Sequence, residues 1–151
     1  MNQRDKEDKE FAQIMKMGGG LLRPPVMVKF AEDPKTILHS KFEWDNEKGG
    51  YEHRLWQARQ IIRVRYQKMD VGKKEPVLIR KYLRLPRDGK DGGYRPIVAI
   101  LSDEKMRNEM LEMAKKELQT IRRKYSTLNE LATIWAAIDE ATEPSAVGAK
   151  G

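Results

Sequence analysis

The sequence predicts an α+β fold with short N-terminal helices, a three-stranded antiparallel sheet, and C-terminal helices packed on one sheet face. Three observations predict it. Apolar residues recur at helical spacing up to Ile62, they alternate at strand spacing between Gly- and Asp-rich turns as far as Leu101, and the three-four repeat returns after Ser102. The expected organisation is a single domain over residues 1–141, helical over 1–62, sheet over 61–101 and helical over 102–141, with residues 142–151 a disordered tail. A chain of 151 residues buries roughly 70% of its unfolded surface on folding.

Taken in order, residues 4–17 place Phe11, Ile14 and Met15 on one helical face and stop at Gly18-Gly19-Gly20. The triplet follows no strand and has no lysine at phosphate-loop spacing, so it is a helix stop. Residues 21–34, LLRPPVMVKFAEDP, carry prolines suited to a first helical turn, then Val26, Met27, Phe30 and Ala31 on one side. Such paired short helices also occur in helix-turn-helix units, a weak signal by itself. Phe42 and Trp44 lead to Asp45 or Asn46 as the cap of a helix from Glu47 to Ile62, with Tyr51, Leu55, Ala58 and Ile62 inward.

The period then changes. Ile62, Val64 and Tyr66 alternate with Arg63, Arg65 and Gln67, giving a first strand with one buried face. VGKKE at 71–75 is a turn, and VLIRKYLRL at 77–85 is a second strand with Arg80, Tyr82 and Arg84 on one face. PRDGKDGG at 86–93 is a hairpin loop, and YRPIVAIL at 94–101 is a third strand placed at an edge by Pro96. Ser102 caps a long helix in which Leu111, Ala114, Leu118, Ile121 and Tyr125 share a stripe. A Thr127-x-x-Glu130 capping box starts a final helix that runs to about Ala141.

Composition narrows the function classes. There is no cysteine, which removes disulfides, zinc-thiolate sites and thiol catalysis and fits a cytoplasmic setting. No signal-peptide run or membrane-length apolar stretch is present. The net charge is +7, and residues 1–50, 51–100 and 101–151 contribute 0, +8 and −1. An excess confined to the middle third points to a polyanion partner, although a basic hairpin also shields sheet edges from aggregation.

No spacing identifies a reaction, a metal or a cofactor, so a non-enzymatic protein is expected. His39, Glu43, Asp45 and His53 are the densest group of metal-capable ligands but match no metal motif. Asp88, Lys90 and Asp91 lie among glycines, where acids make turns. The larger constellation is a basic sheet face. Arg63 and Arg65 on one strand and Arg80 and Arg84 on the next are expected to form a guanidinium ladder for DNA phosphates, with Tyr82 between them to stack on a base. Lys68, Lys73, Lys74, Arg87 and Lys90 widen that field. The alternative is a protein-binding module or homo-oligomer that uses the helix of Met106, Met110 and Met113, with Trp135 as anchor.

The run Leu38-His39-x-x-Phe42-Glu43-Trp44-Asp45, followed by Arg54-x-x-Gln57-Ala58-Arg59-x-Ile61-Ile62-Arg63, resembles a family of small bacteriophage and prophage proteins. Leu22-x-Pro24 to Ala31-x-Asp33-Pro34, Gly93-Tyr94, Arg123-x-Tyr125 and Leu128-x-Glu130-Leu131 are similar too, and Gly49-Gly50 stands where alanines are expected. The resemblance implies a phage-encoded accessory protein in the bacterial cytoplasm, with DNA or a host or phage protein as partner. It brings no activity and no catalytic residue.

Overall fold

A computed structural model describes residues 2–89 and 92–143. The chain divides after Asp103 into two compact units, Met1–Asp103 and Glu104–Gly151.

In the first unit, helix α1 (Gln3–Met17) is capped by the Asn2 side chain, which accepts from the Asp5 N–H at 2.8 Å. Phe11 and Ile14 are buried as the spacing predicts. The helix stops at the glycines, where Gly20 (φ +95°) donates its N–H to the Met15 carbonyl at 2.9 Å, a conformation that side chains with a Cβ disfavour. Helix α2 (Pro24–Ala31) starts on its prolines and buries Met27, Val28 and Ala31. A 3-10 turn over Leu38–Lys41 comes next, and the Glu10 carboxylate of α1 accepts from the N–H groups of Ile37 and Leu38 at 2.8 and 3.0 Å.

Helix α3 (Tyr51–Arg63) buries Leu55, Ala58 and Ile62. It starts four residues later than the sequence suggests, because Asp45 caps a turn instead. Its Oδ1 accepts from the Glu47 N–H and its carbonyl from those of Lys48 and Gly49. Helix α3 also ends later. The Val64 N–H still bonds the Gln60 carbonyl, so Ile62 to Val64 are not a strand, and Val64 is exposed. Phe42, with Leu55 and Ile62, belongs to the core, and Trp44 packs against it.

The expected three-stranded sheet is two separate antiparallel pairs. Strand β1 (Tyr66–Met69) pairs with β2 (Val77–Arg80), with Tyr66 opposite Arg80 and Lys68 opposite Leu78. Strand β3 (Tyr82–Leu83) pairs with β4 (Arg95–Pro96). The run 77–85 is therefore broken at Lys81, which donates to the Arg65 carbonyl and accepts from the Ile97 N–H, linking the two pairs. The third expected strand survives only at its start. Pro96 has no N–H to continue a ladder, and Ile97–Leu101 becomes helix α4, burying Ile97 and Ile100 at a spacing of three. Leu22 and Tyr94 bond each other through N–H and C=O at 2.9 and 2.8 Å, tying the approach to α2 to the end of the hairpin loop.

In the second unit, α5 (Glu104–Tyr125) and α6 (Ala132–Thr142) form an α-hairpin, with a 3-10 turn at Asn129–Leu131. The break between them falls where the sequence places it. The start does not, since α6 begins after Leu131 with no side-chain cap. Trp135 and Ile138 are buried. The Arg122 guanidinium bonds Asp139 at 2.5 and 2.8 Å and holds that carboxyl below its ordinary range, and Gln119 bonds Thr142. Of the expected tail from residue 142, Thr142 still belongs to α6, and the residues beyond Glu143 lie outside the described ones.

Candidate nucleic-acid interface

Strands β1 and β2 make a ribbon with no residue in the core. Alternation sends Gln67, Met69, Val77 and Ile79 to a half-buried side and Tyr66, Lys68, Leu78 and Arg80 to the other. On that open side Tyr66 is 43% and Leu78 64% exposed. Arg80, opposite Tyr66, is half-buried, with its Nε withdrawn from the surface. The connecting turn is set by Asp70, whose carboxylate accepts from the Gly72 N–H at 2.9 Å, and by Gly72 at φ +84°. It presents Lys73 and Lys74 to solvent. From Arg63 to Arg80 the chain carries six basic side chains against Asp70 and Glu75.

The expected guanidinium ladder does not form. Arg63 is the exposed last residue of α3, not a strand residue. Arg65 turns inward to Glu7 at 2.8 Å and to Asp8, with its guanidinium 4.7 Å from the Phe11 ring. Glu7 is buried and also meets Lys41 at 3.3 Å. This charge is committed within the protein because a carboxylate so withdrawn from water needs a partner. Arg84 is exposed beyond β3, and Arg87 is exposed on the 3-10 turn Pro86–Asp88. Lys90 lies outside the described residues.

Tyr82 is not a stacking platform. It is buried, 5.9 Å from the Phe11 ring, because the strand breaks at Lys81 and β3 turns this side chain to the core. Burial, helped by the Asp8 charge and opposed by Arg65, pushes its hydroxyl up from 10.0 to about 12. The folded state thus holds this proton more tightly than the unfolded one. Its contribution is complete below pH 10 and is lost as pH rises towards 12. Relative to Tyr82→Phe, the unfolding free energy of the native protein is expected to fall by about 3 kcal/mol across that window in urea titrations at stepped pH. Parallel profiles would contradict it.

The residues the sequence missed are Tyr66, expected on the buried face of the first strand, and Leu78, which was given no role. The signal was the turn itself, since a loop centred on Lys73 dictates that Tyr66 meets Arg80. The possible ligands elsewhere are occupied. His39 bonds the Ala31 carbonyl through Nδ1 at 2.7 Å and stacks on Trp44, while Trp44 donates to the His39 carbonyl at 2.7 Å. Glu43 accepts from the Asp45 N–H, and His53 stacks on Trp56. Among the described residues no group of three or more His, Asp or Glu is placed to hold a metal. Asp88 grips Arg95 through three contacts of 2.6–3.1 Å, and Asp91 is outside the described residues. Met106, Met110 and Met113 are half-buried, and Trp135 is buried and donates to the Leu128 carbonyl at 3.2 Å. Among the described residues no helix is long and apolar enough to cross a membrane. No protein-family model, curated protein or solved structure matches the chain.

Proposed function

We propose that this chain is a non-enzymatic DNA-binding accessory protein that contacts phosphates through its β1–β2 ribbon, in the phage setting that the resemblance implies. The observation that carries this reading is the open ribbon face. Lys68 and Arg80 flank exposed Tyr66 and Leu78, Lys73 and Lys74 stand at the tip, and Arg63 lies at the base. A two-stranded ribbon fits the major groove of a DNA duplex. Lysines at its tip meet phosphates as point charges, and a tyrosine on its face offers a surface for a base. Protection of sheet edges accounts for the lysines but not for Tyr66 and Leu78 exposed between them.

The test is a titration of duplex and single-stranded DNA with the full chain across a salt series. Binding is expected to weaken linearly in log affinity against log salt. Lys73→Ala with Lys74→Ala should reduce the slope by about 2 while leaving the unfolding midpoint unchanged. No binding at low ionic strength, or binding indifferent to salt, would remove the proposal.

A further inference from the structure

Helix α5 carries an apolar stripe that α6 leaves open. Leu111, Leu118, Ile121 and Tyr125, with Leu128 just past the helix end, are each between 38% and 46% exposed. Their spacings of seven, three, four and three, with Ala114 in the remaining position, are those of a coiled-coil seam. Helix α6 takes a neighbouring edge, through Arg122–Asp139 and Gln119–Thr142. Isolated exposed leucines are ordinary, but a continuous heptad seam on a helix about 33 Å long is a contact surface.

We propose that the seam is covered by a second copy of this chain, its α5 running antiparallel and centred between Gln119 and Thr120. Charge and volume both select this occupant and this direction. One turn upstream, the seam positions are Glu104 and Arg107. A parallel pair in register would set Glu104 on Glu104 and Arg107 on Arg107, like charges in the contact line. The antiparallel pair confines contact to the apolar half. It sets Leu118 against the partner's Ile121 and Ala114 against the partner's Tyr125, large opposite small, as dense packing requires.

The edges agree. On one edge Glu117 faces the partner's Lys124, and twofold symmetry repeats that attraction. On the other edge Lys115 approaches the partner's Arg122. That approach is tolerable because Asp139 already neutralises Arg122 and Glu112 pairs with Lys115 at 3.3 Å. The inference is independent of DNA binding.

The test is sedimentation equilibrium of the full chain over a concentration series. A dimer is expected, and Leu118→Lys with Ile121→Lys, both at exposed sites, should yield a monomer with unchanged helical circular dichroism. Glu117→Lys alone, or Lys124→Glu alone, should weaken dimerisation about tenfold, and the two together should restore it. A native chain that stays monomeric, or a dimer that survives the lysine pair, would overturn the proposal. Failure of the double charge swap to restore the dimer would overturn the antiparallel direction, since in a parallel pair Lys124 faces Asn129 instead.

Discussion

Replacing Arg65 with methionine is expected to lower the stability of the first unit by about 3 kcal/mol. The guanidinium is the main counter-charge of Glu7, whose carboxylate is nearly withdrawn from solvent. Its removal leaves a buried charge offset by Lys41, at 3.3 Å and partly exposed, and by the Gln3 amide N–H at 3.4 Å. The Asp8 contact and the guanidinium's place over the Phe11 ring are lost as well. Adding Glu7→Gln should recover much of the loss, because the remaining neutral pair no longer carries the desolvation penalty. The measurement is the urea midpoint at constant m-value for the two single variants and the double. Additive losses would show that Glu7 and Arg65 act independently.

Phe11→Ala is expected to cost about 4 kcal/mol, the middle of the range for a buried aromatic. Phe11 is 1% exposed and meets two groups that are themselves constrained, the Tyr82 ring and the Arg65 guanidinium. The cavity cannot close easily, since collapse from either side would break the Glu7 and Asp8 bonds of Arg65. Thermal and urea unfolding of the variant read this cost. A loss below about 1 kcal/mol would mean that the site relaxes freely. Because Phe11 and Arg65 touch, their double variant should lose less than the sum of the two.

The helices were legible in the sequence because a helix is written in nearby residues. Phe11 and Ile14, Leu55, Ala58 and Ile62, and the stripe from Leu111 to Tyr125 announce theirs through local spacing. The strands were legible only in part, at Val77–Arg80 and in its antiparallel pairing across the turn that holds Lys73. Arg63 and Val64 alternate with Ile62 as a strand would, yet the helix continues through them because its carbonyls remain in reach. Ile97 to Leu101 has strand-like composition, but Pro96 ends the ladder and a turn of helix buries Ile97 and Ile100.

The same split applies to the candidate interface. Lys73 and Lys74 were visible because a turn exposes its side chains. Arg65 was misplaced because its partners lie in α1, 58 and 57 residues away. Tyr82 was misplaced because the break at Lys81 depends on pairings with both Arg65 and Ile97.

The bond pair between Leu22 and Tyr94 has a consequence for synthesis on the ribosome. Until Tyr94 has emerged, the N–H and C=O of Leu22 have no native acceptor or donor, and β3 has no strand to join. The first unit therefore cannot close from its N-terminal end as it is made. Its early helices must wait for nearly the whole of that unit, exposed to chaperones at elongation speeds of roughly 5–20 residues per second. The α5–α6 hairpin closes over a short sequence separation, so the unit made after the first is the one topologically free to fold quickly.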